Sequence, residues 1–206
     1  MSALNQSLVV AEASQETCGG FSATTILNLL ETALHSRKSE WLFLRELRIG
    51  TRLRAHSAQR LDAFALNCLP YQGMKRVCYE LKTSRGDLMT ELRHPLKRRI
   101  GMRYSNEFYF VVPAGLMALD ELPVDCGLIE VGRATTDESQ HLVRSHAGFF
   151  YIEAATAMYC QVTVPAPWRE TPGPTWEFVA AMLRNQARWL SERPPAPPKQ
   201  QRLPLE

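Results

Sequence analysis

Glu80 and Lys82, two residues apart, lie in the stretch Arg76-Val77-Cys78-Tyr79-Glu80-Leu81-Lys82-Thr83-Ser84. β-Branched, aromatic and aliphatic residues dominate it, and Gln72-Gly73 just upstream favours a turn, so the stretch predicts a strand. Side chains alternate across a strand, which puts Cys78, Glu80 and Lys82 on one face and Val77, Tyr79, Leu81 and Thr83 on the other. A carboxylate and an ammonium side by side on a rigid element are well placed to hold catalytic geometry.

A second carboxylate completes the pattern. Asp62 lies in Arg60-Leu61-Asp62-Ala63-Phe64-Ala65-Leu66-Asn67, also strand-like, with a loop built on Pro70, Gln72 and Gly73 between the two stretches. Antiparallel pairing of this hairpin would bring Asp62 and Glu80 together on one face. Two carboxylates that close repel unless a cation lies between them. Hard oxygen donors without thiolate or imidazole suit Mg²⁺ or Mn²⁺. Lys82 would then face the attacking water and the scissile phosphate of a hydrolytic site.

An Asp, a hairpin and then Glu-x-Lys on the next strand resembles the PD-(D/E)XK nuclease superfamily. The pattern is most similar to the subgroup of MmcB-related DNA repair proteins and their phage counterparts. Four pieces carry that resemblance in order: Arg60-Leu61-Asp62, Tyr79-Glu80-Leu81-Lys82-Thr83-Ser84, Asp87-Leu88, and Phe108-Tyr109-Phe110-Val111-Val112-Pro113. The resemblance covers about residues 40 to 130. The resemblance implies an α/β, restriction-endonuclease-like core with a central mixed sheet flanked by helices. It implies a metal-dependent DNA endonuclease that hydrolyses phosphodiester bonds in repair or recombination, with Asp62, Glu80 and Lys82 catalytic. Asp62, Glu80 and the Leu81 carbonyl would hold the metal, and Glu46 or Glu31 would supply an auxiliary acid. A helix after Glu-x-Lys that lies against DNA is implied as well. The alternative of a different class is a non-catalytic DNA-binding or accessory module on the same fold; a third is a plain surface ion pair between Glu80 and Lys82.

Composition is compatible with these readings without choosing among them. The chain has 206 residues and a formal charge of +3, fitting one soluble domain with appendages and a mild basic excess. Five cysteines, none at Cys-x-x-Cys spacing, read as free thiols of a cytoplasmic protein. His141 and His146 do not share a helical or strand face, which speaks against zinc. Residues 1 to 15 lack a basic start followed by an apolar core, and the apolar run from Phe108 to Leu119 is too short to span a bilayer.

Around the motif, the chain divides into a loosely ordered arm over 1–20, a nuclease-like domain over 21–193 and a Pro-rich tail over 194–206. Ser22 caps a helix expected over about Ala23 to His35, with Glu31 at the edge of its apolar stripe. Trp41 to Ile49 reads as the first strand and carries Glu46. The loop from Gly50 to Arg60 is basic, either simply solvated or drawing a phosphate backbone toward Asp62. Beyond Ser84, a short helix at Leu88 to Leu92 and another at Leu96 to Gly101 form the most basic segment. Ser84, Arg85, Lys97, Arg98 and Arg99, with Arg60, are the candidate nucleic-acid contacts. Glu107 to Val112 and Cys126 to Val131 read as strands. Residues 133 to 150 read as loop or insertion, and Phe149 to Val164 as helix, strand or both. Trp176 to Leu190 predicts an amphipathic helix with Phe178, Val179, Met182, Leu183, Ala187 and Leu190 near one face.

The tail composition cannot build a core. Its end resembles the short motif by which bacterial repair proteins bind the replication sliding clamp, with Gln200, Leu203, Pro204 and Leu205 matching and Gln201 standing where Leu is usual. Oligomeric state is open, although a homodimer would suit cutting both strands.

Overall fold

A computed structural model describes residues 21–50, 59–133, 142–145, 148–153 and 158–192, the two short segments 142–145 and 148–153 by their backbone alone. The expected arm, most of the basic loop after Gly50, and the tail with Gln200, Leu203 and Leu205 lie outside these residues.

Helix α1 (Ala23–Leu34) starts where Ser22 takes extended backbone angles and its Oγ accepts from the Thr25 N–H at 3.1 Å. That side chain satisfies one of the amides a helix start leaves without a partner. Three strands follow, β1 (Trp41–Ile49), β2 (Gln59–Asn67) and β3 (Arg76–Leu81). A 3₁₀ turn at Pro70–Gln72 closes the β2–β3 hairpin, and Gly73 ends it at φ +70°, a left-handed angle that a Cβ disfavours. Next come α2 (Arg85–Arg93), a 3₁₀ turn at Pro95–Arg98, α3 (Arg99–Tyr104), β4 (Glu107–Pro113) and β5 (Gly127–Arg133). The chain continues through β6 (Leu142–Ser145), β7 (Gly148–Glu153), β8 (Met158–Val164) and α4 (Trp176–Glu192).

The eight strands form one sheet in the order β1-β2-β3-β4-β5-β8-β7-β6. β3, β4 and β5 are mutually parallel and the remaining pairs antiparallel. This is an α/β architecture with a mixed sheet flanked by helices. Parallel strands need both faces covered, and β4 is accordingly apolar and buried from Phe108 to Pro113. Alternation sends Tyr79, Val111 and Ile129 to one core with Ile26 and Leu30 of α1, and Cys78, Phe108, Phe110 and Leu128 to the other with Leu88 of α2 and Phe178 of α4.

Two expectations change and one open reading narrows. The segment over 133–150, read as loop or insertion, contains β6 and the start of β7. Within Phe149 to Val164, read as helix, strand or both, the described residues are strand, with β7 and β8 paired antiparallel; continuous apolar runs of that length fit either element by periodicity. On α4, Phe178, Ala181 and Asn185 are buried, whereas Leu183 and Leu190 are exposed, so its apolar residues occupy more than one face.

Candidate active site

Asp62 sits where two ladders are interrupted. The β1–β2 register runs through Arg45↔Ala63 and resumes at Leu47↔Leu61, skipping the Glu46 and Asp62 positions. The β2–β3 pairing stops at Ala63↔Tyr79. Glu46 takes φ +48°, uncommon for a residue with a Cβ outside functional or strained positions. The next antiparallel pair would oppose Asp62 and Glu80. Instead, the Leu81 N–H donates to Asp62 Oδ2 at 3.0 Å. Pairing of β3 with β4 continues through Leu81↔Val111, and the Lys82 N–H donates to the Val111 carbonyl at 3.0 Å. Glu80 and Lys82 are therefore fixed on a strand whose far neighbour holds it straight while its near neighbour has let go.

Glu80 follows Cys78 on the α2 face of the sheet. Lys82 Nζ lies 2.5 Å from Glu80 Oε1 and 3.5 Å from Glu91 Oε2. Ser84 positions that third carboxylate: its Oγ accepts from the Asp87 N–H at 3.3 Å and starts α2, whose Leu88 and Glu91 turn inward. Glu91 is only 5 % exposed. On the open side, Arg60 Nη2 lies 3.5 Å from Asp62 Oδ1 and its Nη1 3.9 Å from Glu46 Oε1, with Arg60 and Glu46 both 53 % exposed.

Negative charge exceeds positive charge inside this cluster. Asp62, Glu80 and Glu91 surround one largely buried cation, Lys82. Burial first, and then the charge on Asp62, push the Glu80 carboxyl up to about 7 against the opposing pull of Lys82, and Glu91 pushes the same way. For Lys82, burial favours the neutral amine, but Glu80, Glu91 and Asp62 outweigh it and hold the ammonium above its ordinary range. Both shifts report a site short of positive charge. Asp62 and Glu80 supply hard oxygens to meet that shortage, and the Leu81 carbonyl directly follows Glu80 in sequence; this donor chemistry fits a divalent Mg²⁺ or Mn²⁺. Among the described residues no group of three or more His, Cys, Asp or Glu side chains stands close enough to hold a metal, so the fit rests on two carboxylates with Glu91 turned to Lys82.

Several sequence-predicted residues are placed elsewhere. Glu31 is held by Arg45 and Lys38 on α1, which packs on the face of the sheet opposite Glu80, so it does not join the site; a helix Glu is common, and its face could not be read from the motif. Arg85 is engaged by Glu121, with Nη1 2.6 Å from Oε2, and donates to the Leu116 carbonyl at 3.0 Å, tying α2 to the loop after β4. Arg98 is 8 % exposed, its guanidinium stacks 5.4 Å from the Phe110 ring, and its Nη1 donates to the Glu91 carbonyl at 3.3 Å. Arg98 is a buried support and not a surface phosphate contact. Ser84 is a helix cap. Lys97 and Arg99 are exposed and remain available to a ligand.

Glu91 was missed. Its signal was present, because it falls three residues after Leu88 on the inward stripe of a helix that directly follows Glu-x-Lys.

Comparison with family models, with curated proteins and with solved structures gave no match in any of the three.

Proposed function

We propose that this protein is a metal-dependent DNA endonuclease with a restriction-endonuclease-like core of the PD-(D/E)XK type. The observation that carries the reading is the meeting of Asp62, Glu80 and Lys82 at a gap in the sheet, in surroundings too negative for their own cations. Asp62, Glu80 and the Leu81 carbonyl would hold Mg²⁺ or Mn²⁺, with Glu46 at the rim as auxiliary acid. A bound divalent cation would supply charge stabilisation at the phosphate and acidify water. Lys82, kept protonated by its carboxylates, is the donor that steadies charge developing on a phosphate oxygen. Arg60, Lys97 and Arg99 would position the nucleic-acid backbone by charge without reading sequence. The tail residues Gln200, Leu203 and Leu205 would dock on a sliding clamp.

One observation favours the second reading, a DNA-binding accessory module without catalysis: Lys82 occupies Glu80, and Arg60 approaches Asp62, so both carboxylates have internal partners. The experiment that separates the two is cleavage of labelled linear, nicked and branched DNA with Mg²⁺ or Mn²⁺, comparing wild type with Glu80→Ala and Lys82→Ala. The nuclease reading expects metal-dependent cutting lost in both variants. Binding without cutting, equal in all three proteins, would overturn it.

A further inference from the structure

Helix α4 has two apolar faces. Phe178, Ala181 and Asn185 are buried, and α4 packs on β1. At about 100° per residue, Trp176, Ala180, Leu183, Ala187 and Leu190 fall within roughly 80° of arc on the far side of the same helix. Trp176 is 86 %, Leu183 67 % and Leu190 57 % exposed. Scattered exposed apolar residues need no explanation, but a contiguous seam of large ones marks an interaction surface.

We propose that this seam is a homodimer interface in which two copies of the chain pack α4 against α4 in antiparallel fashion. The spacing identifies the occupant. Trp176 and Leu190 each lie seven residues from Leu183, so the seam reads alike in both directions. A two-fold axis through Leu183 would set Leu183 against its own copy and Trp176 against Leu190 of the second chain. Such self-complementarity is what an isologous contact requires. Small residues at Ala180 and Ala187 let the helices approach.

Charge agrees with the same pairing. Glu177 and Arg188 share one flank of the seam, six residues before Leu183 and five after it. Antiparallel packing therefore brings Glu177 of each chain to Arg188 of the other. Among the described residues, the ion pair of the Arg188 guanidinium is a 4.0 Å contact to exposed Glu192, long enough to let the side chain turn. A single helix pair falls near or below the ~1,200 Å² lower end of stable interfaces, so a weak dimer, with dissociation on the order of micromolar, is expected. The proposal is independent of the nuclease reading, since none of these residues belongs to the site around Glu80.

Sedimentation equilibrium of the full chain from about 1 to 500 µM tests it. The expected result is a monomer–dimer equilibrium, weakened at least tenfold by Leu183→Glu with unchanged circular dichroism. Glu177→Arg should also weaken it, and Glu177→Arg combined with Arg188→Glu should restore it. A chain that stays monomeric throughout the range would overturn the proposal, whether its own tail or another protein covers the seam. So would a dimer indifferent to Leu183→Glu, or a charge swap that fails to restore association.

Discussion

Glu91 Oε2 lies 3.5 Å from Lys82 Nζ, on the ammonium that Glu80 Oε1 also contacts at 2.5 Å. One buried cation thus has two carboxylate partners on two elements, the strand and the helix that follows it. If a divalent cation takes Glu80, Glu91 still holds Lys82 charged and in place. Glu91→Gln keeps the shape and removes the charge. On the nuclease reading, its expected effect is a roughly 10- to 100-fold lower kcat at saturating Mg²⁺ with little change in DNA affinity, together with a loss of about 1–3 kcal/mol in stability. Single-turnover cleavage and urea unfolding would check both, and wild-type turnover in the variant would remove Glu91 from the site.

Glu80 makes stability depend on pH in an unusual direction. Its folded-state pKa, about 7, lies above its ordinary value of 4.5. The folded state therefore binds the proton more tightly than the unfolded chain. That contribution is fully present below about 4.5 and is lost as pH rises through 7. In EDTA, Glu80→Gln should gain thermal stability over wild type as pH goes from 5 to 8, with the difference closing toward pH 4. Mn²⁺ at pH 8 should raise the Tm of wild type and leave that of Glu80→Gln nearly unmoved. A flat difference across pH, or equal Mn²⁺ shifts, would show that excess negative charge is not centred on Glu80.

The sheet from β1 to β5 was legible because each strand carries an alternating or continuous apolar run between turn residues, and Ser22 announces α1. The contents of the site were legible from Asp62 and Glu-x-Lys. Its geometry was not: the β1–β2 ladder skips Asp62 opposite Glu46, which takes a left-handed angle, and nothing in Arg45-Glu46-Leu47 announces that. The fate of Arg98 was equally hidden. Within a run of basic residues, Lys97, Arg98 and Arg99 look alike, and only the 3₁₀ turn after Pro95 decides that Arg98 turns inward to Phe110 while its neighbours face water.

A second titration belongs to the opposite face of the sheet. His35 is buried, with Nε2 2.7 Å from the Tyr79 hydroxyl and no hydrogen-bond partner for Nδ1 among the described residues. Burial, with a smaller push from Lys75, lowers its pKa from 6.5 to about 3. Here the folded state resists the proton that the unfolded chain accepts. The contribution is fully present above 6.5 and is lost as pH falls toward 3, opposite in sign to that of Glu80. His35→Gln should therefore show a shallower loss of stability between pH 6.5 and 4 than wild type, by an amount on the order of a few kcal/mol. Urea unfolding at successive pH values reads the slope directly; parallel curves would place acid sensitivity elsewhere.

Adjacent basic residues should separate by kind of effect. Lys97 and Arg99 are exposed on the segment that follows α2, and Arg98 between them is buried against the Glu91 carbonyl. Each phosphate contact removed lowers the salt dependence of DNA binding by about 0.9 in log K against log salt. Lys97→Ala and Arg99→Ala should each reduce that slope by about one unit while leaving the Tm within a degree or two. Arg98→Ala should do the reverse. It loses the stacking on Phe110 and the hydrogen bond to the Glu91 carbonyl, costing about 1–3 kcal/mol with the salt slope unchanged. Fluorescence anisotropy on a labelled duplex from 50 to 300 mM salt, with melting curves for each variant, distinguishes them. If Arg98→Ala lowers the slope and Lys97→Ala does not, the DNA contacts run through the buried layer, and the exposed cations of this segment serve only to solvate it.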